Sequence, residues 1–307
     1  MTRSPELPQG VCVIERNWLS SNNILCIGSR AATLVDSGYC TQAEQTVALV
    51  DAALAGRPLD QLVNTHLHSD HCGGNAGLQN RYPRLQTFIP PGMAPAVSNW
   101  DPQALGYVPT GQLCPPFKLD GLVVPGTEFE LADLPWQVHA APGHDPDSVI
   151  LFEPRSRTLI SADALWENGF GVVFPELEGE AAFDLVAATF DLIEQLDPCW
   201  IVPGHGRVFH HGPLVISQAR RRLDAFVSSP HRHGRHAAKV LLKFKLLDSR
   251  QMPLAELIRW AMATTHFRRI HRSFAAEIPM ADWVDQLTQE LVRSGAARMA
   301  GESIHDD

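Results

Sequence analysis

No stretch of the 307 residues is apolar over anything near 18 positions, which excludes an α-helical membrane span. The opening MTRSPELPQG has no apolar segment behind its arginine, so a secretory signal is not expected and a cytoplasmic location is. There is no GxSxG elbow, no phosphate-binding P-loop, and no GxGxxG that opens a helix after a strand. A serine nucleophile and the two nucleotide sites are therefore set aside. The six cysteines (Cys12, Cys26, Cys40, Cys72, Cys114, Cys199) are scattered without a CxxC pair and read as reduced, mostly buried thiols. Internal repeats and low-complexity segments are missing as well. Charge is modest, at 19% against 45% hydrophobic residues, which marks a globular chain rather than a disordered one.

The net charge of −9 is unevenly spread. Residues 216–307 hold 15 Lys and Arg against 10 Asp and Glu, which leaves 10 against 24 for the rest. Solvated helix faces account for this basic end; a contact surface for an anionic partner is the functional alternative.

The apolar pattern predicts strands over 11–14, 22–27 and 31–35, then a helix over 41–54 with Ala43, Val47, Val50 and Leu54 at helical spacing. A strand over 59–65, a short helix over 73–81 and a strand over 85–89 come next. Residues 93–121 mix aromatics with helix breakers; Trp100 and Tyr107 there are either packing residues or contacts for a ligand. Strands are expected over 129–131, 136–140, 148–152, 158–161 and 200–202, with an amphipathic helix over 181–196. Beyond about residue 212 the pattern turns helical, over 215–227, 236–247, 254–264 and 283–293, and residues 297–304 suit a wing. His231, His233 and His236 read as part of a solvated basic loop with Arg232 and Arg235, a second metal site being the alternative.

Three histidines and an aspartate fall within six residues at His66, His68, Asp70 and His71. They follow a strand and precede a glycine pair, so they sit on a strand-to-helix loop. Neutral imidazole and carboxylate are ligands for a borderline cation such as zinc, and a cluster without Cys leans catalytic rather than structural. Cys72 adjoins it. His144, Asp163 and His205 each follow another strand-like run. Four strand ends that deliver His or Asp would build one two-metal site. Asp36, at the end of the third strand, is either a turn residue or a support for a ligating imidazole, whose second nitrogen needs a partner.

HxHxDH, then PGH, SADA and PGHG, in this order and spacing, resemble the metallo-β-lactamase superfamily over about residues 10–210. The resemblance implies an α/β (α+β) fold, a four-layer αββα sandwich, with a small helical, winged-helix-like C-terminal domain, divided as 1–212 and 213–307. It implies that His66, His68 and His144 hold one divalent ion, that Asp70, His71 and His205 hold a second, and that Asp163 bridges them. Asp36 would support the metal loop. Zinc is expected, with manganese or iron as alternatives.

A hydroxide shared by two metals would attack a carbonyl or phosphoryl centre at neutral pH, with Asp70 orienting it. Trp166, Phe170 and Phe174 directly follow Asp163 and suit the wall of a pocket for an apolar acyl group. The expected activity is hydrolysis of a carboxylic ester, thioester or lactone, as in glyoxalase-II-like relatives. An endoribonuclease, a mono-iron enzyme resembling persulfide dioxygenases and a metal-stabilised binding module are the alternatives. The expected partner is a small-molecule substrate and not a membrane; a nucleic acid and a second copy of the chain are further candidates.

Overall fold

The computed structural model describes residues 6–306. Two six-stranded sheets lie face to face. The first contains β1 (Val11–Ile14), β2 (Asn23–Ile27), β3 (Ala32–Val35), β4 (Gln61–Val63), β5 (Gln86–Ile89) and β6 (Gly121–Leu122), in that order across the sheet. The second contains β7 (Glu128–Leu131), β8 (Leu134–Ala140), β9 (Val149–Glu153), β10 (Thr158–Ala162), β11 (Trp200–Pro203) and β12 (Phe209–His210). The third strand of the first sheet runs parallel to β4, and β10 runs parallel to β11.

The strand sequences explain the layering. In β9 and β10 every residue is buried, as a strand covered on both faces requires. Between the sheets, Ile24, Cys26, Val35 and Val63 meet Trp136, Val138, Leu151, Ile160 and Val202. Each such side chain contributes roughly 1.5–3 kcal/mol by leaving water. On the outer face of the first sheet, Val50 and Leu54 of the helix Ala43–Leu54 and Leu78 of the helix Asn75–Arg81 pack on Leu25, Leu34 and Leu62. On the outer face of the second, the helices Phe183–Leu196 and Pro213–Val227 bury Val186, Phe190, Ile193 and Leu223 against Ile150, Leu159 and Ile201. These are the four layers expected from the sequence.

A separate apolar cluster gathers the helices Pro230–Ser249, Leu254–Ala263, Thr265–Phe274 and Met280–Arg293 around Leu242, Phe267, Trp283 and Leu287. A three-stranded sheet completes it: β13 (Gln251–Pro253), β14 (Ala297–Ala300) and β15 (Ser303–Asp306), with β15 in the middle. Val172 and Leu177, from the segment after Asp163, are buried in this cluster too.

Three readings are corrected. His231, His233 and His236 are helical, not in a loop: Pro230 occupies the first turn, where its missing N–H costs nothing. Gly234 lies where a Cβ would come within 2.3 Å of the Phe274 ring, so it permits close helix approach. The helix Thr265–Phe274 is additional; it buries only Phe267 and Ile270, too thin a stripe to stand out. Of the six free cysteines only Cys26 and Cys72 are buried, so the thiols are mostly not buried. No helix among the described residues is long and apolar enough to cross a membrane.

Candidate metal centre

Four strand ends converge at one edge of the sandwich. The segment after β4 carries His66, His68, Asp70 and His71; those after β8, β10 and β11 carry His144, Asp163 and His205. The pairing of β10 with β11 shifts register between Ile160 and Ala162, and Ala162 has φ 46°. A bulge bends a strand and re-aims the residues beyond it, and a non-glycine residue in this region is strained. Here it precedes Asp163 directly.

Asp163 stands in the middle. Its Oδ1 lies 3.3 Å from His71 Nε2, and its Oδ2 lies 3.4 Å from His144 Nε2 and 3.9 Å from His205 Nε2. His68 Nδ1 faces His144 Nε2 at 2.8 Å and His66 Nε2 at 3.1 Å. Asp70 Oδ2 is 3.2 Å from His205 Nε2. The described residues contain three groups whose ligand atoms all fall within 4.8 Å: His66, His68 and His144; His66, His71 and Asp163; Asp70, His71 and His205.

The other ring nitrogens are fixed from behind. His71 Nδ1 donates to Asp36 Oδ2 at 2.8 Å, and Asp36 also accepts from Thr65 N at 2.9 Å and Thr65 Oγ1 at 2.8 Å. His144 Nδ1 donates to Val172 O at 2.5 Å. These bonds leave Nε2 of His71 and His144 turned inward. His71 Nε2 is buried without a hydrogen-bond partner, which suits a ligand atom and not a packing histidine. Burial, with neighbouring histidines, keeps His66 well below and His144 down at about 4, in the neutral form that a cation needs. Burial opposes charge on His71 and Asp163, yet their mutual attraction outweighs it: His71 is held well above, and Asp163 well below, the ordinary range. Converging nitrogens around a carboxylate fit one or two divalent cations.

Residues 17–22 staple this edge. Asn22 Nδ2 donates to Pro203 O at 3.0 Å and Gly206 O at 2.7 Å, and Ser21 N donates to Asp70 O at 2.9 Å. Gly204 makes room: a Cβ there would lie 2.2 Å from Asp163 Oδ1 and 2.8 Å from His71 Cε1. Gly204→Ala is therefore expected to displace Asp163 and weaken binding of a divalent metal by roughly 10–100-fold, the size of effect that disturbed ligand orientation has. Titration against a fluorescent chelator measures it, and unchanged affinity would show that the loop yields instead.

A cavity of about 1280 Å3 opens over the cluster. Trp166, Phe170, Phe174 and Tyr107 line it, whereas Trp100 does not and packs on Tyr107 and Phe117. Tyr107 donates to Leu67 O at 3.0 Å, and its hydroxyl lies 3.1 Å from Cys72 Sγ. Trp166 Nε1 donates to Asp163 Oδ1 at 3.2 Å. Phe174 lies edge-on to His68 at 5.7 Å. Sequence reasoning missed Trp18, 53% exposed and stacked on His205 at 5.4 Å, and Phe244 on the helix Pro230–Ser249. No spacing signal marks either; only folding brings them here. His231, His233 and His236 enter none of the three groups: His236 bonds Arg222, and His231 bonds Phe274 O.

Residues 16–205 match the family model for the metallo-β-lactamase superfamily. A hydroxyacylglutathione hydrolase of Brucella anthropi is 26% identical over 226 residues, or 73% of this chain and 74% of that protein. A β-lactamase domain protein from Burkholderia ambifaria is similar in structure, with a TM-score of 0.58 at 18% identity over 98% of this chain and 94% of that one. A metallo-β-lactamase family protein from Thermus thermophilus aligns over 98% of this chain and 99% of its own, with a TM-score of 0.53 at 18% identity.

Proposed function

Because the chain belongs to the metallo-β-lactamase superfamily, we propose that it is a hydrolase of carboxylic esters, thioesters or lactones that works with two divalent ions, zinc first among them. One observation carries the reading: seven His and Asp side chains from four strand ends form three overlapping ligand groups. The name of the Brucella anthropi relative supports the acyl-compound class.

In this reading His66, His68 and His144 hold one ion, Asp70, His71 and His205 the other, and Asp163 lies between them. When bound, such ions supply Lewis acidity and a nucleophile at neutral pH. The remaining work falls to the chain. Asp36 and the Val172 carbonyl fix the imidazole orientations by their hydrogen bonds. Asp70 lines the cavity, and its carboxylate stays ionised: burial opposes this, but the His205 hydrogen bond prevails. It can therefore accept a hydrogen bond from an attacking water and orient it. Trp18, Trp166 and Phe174 exclude solvent and offer apolar faces to an acyl group. Residues 213–307 form, in this proposal, a winged-helix-like end domain, which the β13–β15–β14 pairing supports.

Elemental analysis of the purified protein, followed by ester, thioester and lactone panels, tests the reading. Near two zinc or manganese per chain is expected, with turnover that a chelator abolishes and zinc restores. About one iron per chain with oxygen consumption and no ester cleavage would sink it. So would RNA cleavage, weakened by salt, in the absence of acyl hydrolysis.

A further inference from the structure

Among the described residues, the cavity holds a cation whose charge no carboxylate answers. Arg222, on the helix Pro213–Val227, lines the cavity together with Asp70, Asp163 and His205. Its guanidinium carbon sits 5.7 Å from the Phe170 ring centre and 5.5 Å from that of Phe226. Nη1 donates to Asn168 O at 3.3 Å and Nη2 to His236 Nε2 at 2.8 Å. Burial, then the Arg222 charge, lowers His236 to about 3, so it accepts as a neutral ring. A guanidinium has five N–H donors. The other three find no acceptor among the described residues.

Other half-buried cations are answered. Arg220 pairs with Asp191 and Glu194, Arg235 and Lys239 pair with Glu290, and Arg269 pairs with Glu178. Arg16 lacks an acid but donates to Asn23, Thr46, Gln42 and Gln45. Arg222 has neither a carboxylate nor a full set of neutral acceptors. Two phenyl faces hold the fork rigid, which reduces the entropy that a ligand must overcome.

The same short segment joins this cation to the metal cluster. A Cβ on Gly169 would lie 2.6 Å from Arg222 Nη1, and one on Gly171 would lie 2.4 Å from His144 Nδ1. Two Cα steps of about 3.8 Å separate the two glycines, so guanidinium and cluster are on the order of 10 Å apart.

We propose that Arg222 is the receptor for a carboxylate on the substrate, carried at the end away from the bond that is cleaved. The position of that bond rests on the hydrolase reading above; the anion site itself does not. One cation matches a monoanion in charge, and its parallel donors match a carboxylate in shape. A phosphate dianion would call for a second cation, and Lys239, which also lines the cavity, is held by Glu290 at 3.0 Å. The substrate class is thus a short acyl ester or thioester with a free carboxylate at its far end.

The test compares p-nitrophenyl hydrogen glutarate with p-nitrophenyl pentanoate on the zinc-loaded protein. Wild type should prefer the anionic ester about 100-fold in kcat/KM, and Arg222→Gln should bring the ratio to about 1. Arg222→Lys keeps the charge without the fork and should lose about 10-fold of the preference; it decides the matter if the glutamine variant unfolds. Calorimetry with glutarate supplies a second readout, with binding about 100-fold weaker in Arg222→Gln. If neither ester is cleaved but that affinity difference stands, the anion site holds and the hydrolase reading falls. Equal ratios and equal glutarate affinities in wild type and variants would overturn the proposal.

Discussion

Asp163→Ala is expected to lower turnover by on the order of 1000-fold and to cut bound metal well below wild type. The magnitude follows from position. Losing a group that merely supports a metal ligand costs roughly 10–100-fold. Asp163 stands closer in, within 3.9 Å of three imidazole nitrogens from three different segments. It is also the anion that answers His71 from the cavity side. Asp163→Asn separates charge from shape. The amide fills the same space but brings no charge, so metal content should fall with it as well. Elemental analysis and kcat/KM on the best ester measure both variants. Wild-type metal and wild-type turnover in either would remove Asp163 from the site. Circular dichroism is needed beside them, because the bulge at Ala162 already strains this strand end.

The second large effect belongs to a residue that never faces the cavity. Asp36 is 1% exposed and takes three hydrogen bonds, from Thr65 N, Thr65 Oγ1 and His71 Nδ1. Asp36→Asn keeps an acceptor but presents an N–H toward one of these donors. Metal affinity should fall roughly 10–100-fold as His71 loses its orientation. Asp36→Ala should do more. It leaves buried donors unsatisfied, and it puts alanine at φ 58°, where a Cβ is costly and Asn or Asp is tolerated. A stability loss of about 3 kcal/mol is expected on top of the metal defect. Chemical denaturation of the metal-free protein isolates that second part. If Ala and Asn variants unfold together, the left-handed backbone at residue 36 carries no such strain.

Much of this was legible in the chain because the chemistry is local to strand ends. HxHxDH places four candidate ligands in six residues, and PGH, SADA and PGHG each follow a short apolar run, as a buried strand demands. The sandwich was legible for the same reason: β9 carries the apolar run Val149–Phe152, and β10 has Leu159 and Ile160 at its centre. The features that escaped depend on distant partners. Trp18 lies far from His205 in sequence, and no pattern announces that their rings will stack. Arg222 looks like one of three consecutive arginines until the helix Pro213–Val227 turns it between Phe170 and Phe226. The helix over residues 265–274 has two buried apolar positions, so periodicity had little to detect.

The segment from residue 170 to 177 belongs to two cores at once. Phe170 packs with the helices on the second sheet, while Val172 and Leu177 are buried among the C-terminal helices. Between them Phe174 faces His68 on one side and His266 on the other. A lineage therefore cannot remodel these two parts independently. Substitutions on the buried faces of the C-terminal helices would shift Phe174 and the Val172 carbonyl, and so reshape what the site accepts without altering one proposed ligand. Drift in the C-terminal helices is a route to new specificity, and the seven proposed ligands can stay fixed while it happens.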